Sequence, residues 1–244
     1  MPYYRKYIYS GDVVEIEECF SMRKVGDRIS RGKNNNTTSE QQHERNYRNA
    51  MKNLSRIINA NFTKKDIFIT LTHKDNVPEP EAKKAFDRYL RRVRTYIKKH
   101  KLPDLKYVAV IEWEKTRTHH HIILNSISLD TAIELWDKGR VIVSKLDTEQ
   151  DYTGLARYIV KEKKGKFDEK QKKRWSQSRN LAKPKVVRKE IIRGGKLINP
   201  PKGYKLLVRE FYQSDVTGES QYVKAIRIDG IDIAQGKGKE VMTE

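Results

Sequence analysis

The sequence predicts an α+β fold built on an antiparallel sheet. Two observations carry that prediction. Short apolar runs of strand length alternate with longer stretches whose apolar residues recur every three or four positions. Through the middle of the chain these runs follow the order strand, helix, strand, strand, helix, strand, helix. One strand also opens on three consecutive histidines, within Arg117-Thr118-His119-His120-His121-Ile122-Ile123-Leu124.

Taken in order, Tyr3 to Tyr9 and Val13 to Phe20 flank Ser10-Gly11-Asp12, which reads as a β-hairpin. A polar loop, Arg31 to Thr38, follows. A helix is expected from Ser39 to about Asn59, with Tyr47, Met51, Leu54 and Ile58 on its apolar face. Ile67-Phe68-Ile69-Thr70-Leu71-Thr72 is the next strand. Pro78-Glu79-Pro80 opens a helix over 79–100 in which Phe86, Leu90, Val93 and Ile97 share one face. Its other face carries Lys83, Lys84, Arg88, Arg91, Arg92, Arg94 and Lys98.

Tyr107 to Trp113 is a strand, Glu114 to Arg117 a turn, and His119 to Asn125 the antiparallel partner. Asp130 caps a short helix ending near Gly139, and Arg140 to Leu146 is a further strand. A helix over 153–164 is capped by Asp151 or Thr153. A second hairpin, Tyr204–Tyr212 with Gln221–Ile228, follows Pro200-Pro201. The whole predicts a ferredoxin-like (RRM-like) antiparallel sheet of about five strands with helices on one face, plus N- and C-terminal β-hairpin extensions. The expected parts are a hairpin-and-helix extension over 1–60, a catalytic core over 61–165, a basic linker and hairpin over 166–234 that extends DNA binding, and a disordered tail over 235–244.

Composition narrows the function. The 244 residues are 36% hydrophobic and 34% charged, and the net charge is +20. So basic a surface calls for a polyanion, with nucleic acid the leading candidate. Cys19 is the only cysteine, which excludes an intramolecular disulfide and a cysteine-based zinc site. No apolar run reaches membrane-spanning length, and Met1-Pro2-Tyr3-Tyr4-Arg5-Lys6 lacks the apolar stretch of a signal peptide, so a cytoplasmic location is expected. A G-x-x-x-x-G-K loop is absent, so no helicase motor is expected.

The chemistry starts from strand parity. Side chains alternate faces, so His119 and His121 point one way and His120 the other. Two imidazoles on one sheet face can share a divalent cation. Glu112, across the turn, is the candidate third ligand, with Glu114 and His73 as rivals. Two imidazoles and a carboxylate with open positions suit Mn²⁺ and can hold Mg²⁺. Tyr158-Ile159-Val160-Lys161 places a tyrosine and a lysine on one helical face. Tyr158 is the candidate nucleophile and Lys161 its helper; Tyr152 is a rival, directed elsewhere on a continuous helix.

These residues resemble three motifs of the HUH endonucleases, in their replication-initiator order. Phe68-Ile69-Thr70-Leu71-Thr72 resembles the first motif, His119-His120-His121 the HUH motif, and Tyr158-Ile159-Val160-Lys161 the YxxK motif. The chain is most similar to rolling-circle replication-associated proteins of phages, plasmids and integrative elements, including the filamentous-phage gene II type. The resemblance spans about residues 61–165. It implies a metal-dependent, site-specific single-strand endonuclease and strand transferase. It maps the metal histidines to His119 and His121, the acidic ligand to Glu112, the nucleophile to Tyr158 and the helper lysine to Lys161. The middle position of the HUH motif, usually bulky and hydrophobic, is His120, and one tyrosine stands where some relatives have two.

The resulting expectation is a rolling-circle initiator. It would nick and rejoin single-stranded or origin-hairpin DNA through a 5′-phosphotyrosine, with Mg²⁺ or Mn²⁺ and with a host helicase to separate strands. No membrane and no small-molecule substrate are expected. Candidate DNA contacts are Thr70, Thr72, Arg91, Arg92, Lys163, Lys164 and Trp175. Relaxases and single-strand transposases share this chemistry, but relaxases usually place the tyrosine before the histidines, and the transposases are typically shorter. A non-catalytic RNA- or single-strand-binding module predicts aromatic residues where His119, His121 and Glu112 stand.

Overall fold

The computed structural model describes residues 3–20, 40–112, 117–146, 151–161, 175–191, 196–214 and 218–228. The chain divides into two compact units. One is continuous, Ile29–Lys185; the other combines Met1–Arg28 with Val186–Glu244. Each has its own five-stranded antiparallel sheet.

The continuous unit holds α1 (Glu40–Asn61), β3 (Ile67–Thr72), α2 (Glu79–Lys99), β4 (Tyr107–Glu112), β5 (His119–Leu124), α3 (Leu129–Glu134), β6 (Val141–Lys145), α4 (Thr153–Lys161) and the short β7 (Ser176–Gln177). Its sheet runs β6-β3-β5-β4-β7. The histidine strand β5 is therefore central, paired with β3 and β4 on its two sides. Alternation sorts the side chains into two faces. Ile67, Ile69, Leu71, Ala109, Ile122 and Leu124 pack on the back with α2 residues Phe86, Tyr89, Leu90 and Val93 and with Ala132 of α3. Val108, Val110 and Ile123 pack on the front with Leu54 and Ile58 of α1 and with Ala156, Ile159 and Val160 of α4. Full burial of each such aliphatic side chain contributes roughly 1.5–3 kcal/mol of transfer free energy.

Helices thus cover both faces of this sheet, which corrects the expected one-sided arrangement. α2 and α3 share the back; α1 and α4 cover the front. The physical reason is written in β5, whose last five residues are all buried. A strand without a solvated side needs apolar cover on both faces. The cap of α3 is also corrected: Ser128, not Asp130, accepts the N–H of Thr131 on its side chain, at 3.2 Å. Asp130 sits in the first helical turn.

The second unit contains β1 (Tyr3–Ser10), β2 (Val13–Phe20), β8 (Lys185–Ile191), β9 (Tyr204–Ser214) and β10 (Gly218–Arg227). Gly11, with φ of 60°, makes the tight turn between β1 and β2 that a side chain would strain. The strand order is β8-β1-β2-β10-β9. The two terminal hairpins, expected as separate extensions, are one sheet, joined where Ile16 of β2 faces Val223 of β10. Val14, Ile16, Val223, Ala225 and Ile198 form its core, with Tyr7, Tyr9 and Tyr204 packed against them. β8 begins inside the stretch expected to be a basic linker. The tail expected to be disordered, residues 235–244, lies outside the described residues.

Among the described residues no helix is long and apolar enough to cross a membrane.

Candidate active site

The front ends of β3, β4 and β5 and one face of α4 converge on His121. β3 and β5 pair so that Thr70 lies opposite His121 and Thr72 opposite His119. Both threonines use this register in the same way. Thr70 Oγ1 lies 3.1 Å from Nδ1 of His121, and Thr72 Oγ1 lies 3.0 Å from Nδ1 of His119. With the proton on Nδ1, each imidazole donates to its threonine and presents Nε2 as its ligating nitrogen. The two histidine rings stand 6.2 Å apart.

Glu112 is opposite His119 in register, yet its carboxylate reaches the diagonal neighbour. Its Oε2 lies 3.4 Å from Nε2 of His121. Diagonal contacts of this sort are within reach of long side chains on a twisted sheet. His121 is only 4% exposed. Burial pushes its pKa below the usual histidine range, and the Glu112 carboxylate opposes that shift by hydrogen bonding.

Tyr158 completes the group. Its hydroxyl is 3.5 Å from Nε2 of His121, and the phenol packs edge-on against that imidazole with ring centres 5.2 Å apart. Phe68 stacks parallel to His121 and meets Tyr158 edge-on, so three rings fix one another. Tyr158 nevertheless remains 43% exposed. The rival Tyr152 packs instead against the apolar cluster of α1 and α4.

The start of α4 is held by a polar network in which Asp151 is the expected cap and the α1 partners are new. Asp151 accepts from the backbone N–H of Thr153 at 3.2 Å and from its hydroxyl at 2.7 Å. Ser55 of α1 hydrogen-bonds the Thr153 hydroxyl at 3.0 Å, and Asn59 accepts the N–H of Tyr152 at 2.9 Å. Ser55 and Asn59 are both buried. Polar residues interrupting the apolar face of Leu54 and Ile58 were the available signal, because buried polar side chains need partners. Their effect is to fix the helix that carries Tyr158.

His120 faces the back. Its Nε2 lies 2.9 Å from Nε2 of His73, its ring stacks on Phe86 at 5.3 Å, and Trp136 packs edge-on. Burial pushes its pKa down to about 3, aided by His73. A neutral, buried imidazole thus fills the place of a bulky apolar side chain. His73, once a rival ligand, belongs to this back-face cluster and is corrected as such: burial also lowers its pKa.

The remaining expectations divide. Glu114, Lys163 and Lys164 lie outside the described residues, and of Lys161 only its place three residues after Tyr158 on α4 is described. Thr70 and Thr72 turn their hydroxyls to the histidines. Arg91 and Arg92 are exposed on α2, on the back of the sheet, and Arg92 pairs with Asp137 at 2.7 Å. They are not brought together with His121. Trp175 is half-buried against the front apolar cluster, with its indole N–H donated to Gln177 at 2.7 Å.

A divalent cation fits this donor set by chemistry: two imidazoles with Nδ1 engaged by hydroxyls, and one carboxylate beside Nε2 of His121. As the side chains lie, no three histidine, cysteine or carboxylate groups among the described residues form a closed metal cluster.

Comparison with known proteins gives one family match. The family model of the replication-associated protein ORF2/G2P matches residues 66–163. The matched span runs from β3 to just past α4 and so contains every residue of the front-face group. The match supports a replication-initiator-like family for this segment. No curated protein matches the chain, and no solved structure does.

Proposed function

We propose that this protein is a rolling-circle replication initiator that cleaves and rejoins single-stranded DNA through Tyr158. The observation that carries this reading is the approach of the Tyr158 hydroxyl to the His121–Glu112 pair, 3.5 Å from the shared Nε2. The β6-β3-β5-β4 strand order, with α2 and α3 on the back and α1 and α4 on the front, supports a ferredoxin-like reading of this sheet.

His119, His121 and Glu112 would hold Mg²⁺ or Mn²⁺. When bound, such an ion polarises a phosphodiester oxygen and offsets transition-state charge. The chain's own residues do the rest. Thr70 and Thr72 hydrogen-bond the imidazole Nδ1 atoms and so hold the orientation of both rings. Phe68 and the Ser55–Asn59–Asp151 network fix the phenol's position, which removes the entropic cost of finding the attack geometry. Tyr158 attacks phosphorus through its oxygen. A tyrosine–phosphate bond forms, the bond to the 3′ oxygen breaks, the phenolic proton leaves, and the 3′ oxygen takes up a proton. The products are a 5′-phosphotyrosine and a free 3′-OH. Lys161, three residues along α4, would stabilise the phenolate. Because the phosphodiester's energy is kept in the tyrosine linkage, rejoining needs no nucleotide cofactor.

The test uses single-stranded oligonucleotides tiling the DNA that flanks the protein's own gene, incubated with the full chain and Mn²⁺. A covalent adduct that maps to Tyr158 is expected. Cleavage by water with no attached protein, or an adduct on Tyr152, would overturn the mechanism.

A further inference from the structure

The front-face group accounts for one surface of the sheet. The back carries a second charged surface that it does not use. From Arg88 to Lys99, α2 has six cations, Arg88, Arg91, Arg92, Arg94, Lys98 and Lys99, and no acidic residue. All six are exposed. Arg92 is held by Asp137. Among the described residues the other five have no carboxylate within ion-pair distance. Lined-up cations without counter-charges repel one another, a cost that a polyanion removes.

The opposite side of the helix is fully committed. Phe86, Tyr89, Leu90, Val93 and Ile97 are buried against the sheet, so the cations cannot turn inward. Two grooves run along this exposed face. One, of about 460 Å³, is lined by Arg88, Arg91, Arg92, Tyr96 and Lys99. The other, of about 720 Å³, is lined by Arg94, Lys98, Lys101, Arg179 and Asn180, with Asp104 its one acidic residue.

Geometry separates this surface from the cleavage group. α2 packs on the face occupied by His120, whereas His121 and Tyr158 are on the other. A sheet and its helix layer stand about 10 Å thick on each side, so one nucleotide cannot touch both. The larger groove also reaches Tyr107, the first residue of β4, while Glu112 is the last.

We infer that the outer face of α2 is a docking surface for duplex DNA, held by its phosphates and distinct from the single-strand site. Surfaces that hold unpaired strands offer aromatic platforms for the bases. Here none is exposed: Tyr96 is half-buried and stacked on His100 at 4.1 Å, and the one exposed large aromatic among the described residues of this unit is Tyr158, on the front. Cations without stacking rings read backbone, not bases. Arg88 to Lys99 covers roughly 17 Å of helix axis, about five base pairs. A DNA hairpin would then lie with its stem on the back of the sheet and its unpaired portion reaching the front. This deepens the proposed function and rests on its premise that DNA is the substrate.

The test compares wild type with a variant carrying Arg88→Glu, Arg94→Glu and Lys98→Glu. Binding is measured to a plain duplex, to a hairpin with a single-stranded tail, and to the tail alone, across a salt series. The variant should bind duplex and hairpin on the order of tenfold to a hundredfold more weakly at moderate salt, with a log–log salt slope shallower by about 2 to 3. Affinity for the tail alone should hold. Unchanged duplex affinity would show a merely solvated face and overturn the inference. Equal loss for duplex and tail would also overturn it, by assigning the surface to unpaired DNA. Arg88→Gln, Arg94→Gln and Lys98→Gln together provide a milder variant should the reversal disturb folding. Duplex binding is read without cleavage, so a wild type that binds duplex but forms no adduct would sink the tyrosine mechanism and leave this inference standing.

Discussion

On the front of β5, His119 and His121 meet threonine hydroxyls, a carboxylate and a phenol. On the back, one residue away, His120 meets another histidine, a phenylalanine and a tryptophan. The three rings are chemically identical and adjacent in sequence. The front pair keeps polar partners beside a tyrosine that solvent reaches. The back ring is shut into apolar surroundings and held neutral. The difference teaches that strand parity, not residue type, assigns these histidines their surroundings. A strand turns one residue toward polar partners and the next toward apolar packing.

The first way to break the comparison is the largest. Tyr158→Phe deletes only the hydroxyl beside His121. Covalent adduct and strand cleavage should vanish in a gel assay with Mn²⁺, while the melting temperature stays close to wild type. Adduct formation by this variant would remove the front face's claim to chemistry.

His121→Ala should come next. Cleavage should fall by at least about a hundredfold, as expected when a ligand of a charge-stabilising ion is lost. DNA affinity measured by anisotropy should fall little, because phosphate contacts elsewhere supply most of it. Equal losses in both would mean that His121 holds DNA rather than a cation.

Thr70→Val tests the hydroxyl that orients His121. Mn²⁺ affinity followed by calorimetry should weaken by roughly tenfold to a hundredfold, in the range seen for partners of metal-bound histidines. Thr70→Ser keeps the hydroxyl and should restore binding. In the metal-free protein, imidazole ¹⁵N shifts should report a proton on Nδ1 of His121 in wild type and a mixture in the valine variant. Full Mn²⁺ affinity in Thr70→Val would reduce the threonine to packing.

The smallest effect belongs to the back. His120→Leu should leave cleavage intact and change stability by only about 1–3 kcal/mol at neutral pH, the cost of leaving His73 without its partner. Its signature is in the pH dependence. His120 titrates near 3 when folded and near 6.5 when unfolded. The unfolded chain therefore binds more protons in that window. The contribution is fully present above about 6.5 and is lost as pH falls toward 3. His73, shifted in the same direction, adds to the slope. Removing His120 should flatten the fall of melting temperature between pH 6.5 and 4. An unchanged profile would mean that the pair is already open to water.

Much of the front face is legible in sequence because it depends on local periodicity. Alternation alone separates His120 from its neighbours, and a three-residue spacing aligns Tyr158 with Lys161. What is not legible depends on distant segments. The bond from Thr70 to His121 requires the β3–β5 register, fifty-one residues apart. The choice of His121 over His119 by Glu112 requires the twist between two strands. The front layer of α1 and α4 arises because β4 and β5 also carry Val108, Val110 and Ile123 on the front, a pattern that says cover is needed without saying which helix supplies it. Arg91 and Arg92 are readable as surface cations, but the face they occupy is decided only by the packing of Phe86 and Leu90.

The shared sheet of the second unit has a consequence for biosynthesis. β1 and β2 leave the ribosome well before either neighbour of this hairpin, β8 or β10, is made. The intervening segment can complete its own sheet from neighbouring strands while the hairpin waits. Pairing of Ile16 with Val223 closes a loop of some two hundred residues, and such distant contacts form late. During that delay β2 presents an unpaired edge, the kind that recruits strands from other chains. The charged side chains along it, Glu15 and Glu17, give the unfinished edge a means of refusing such partners until its own arrives.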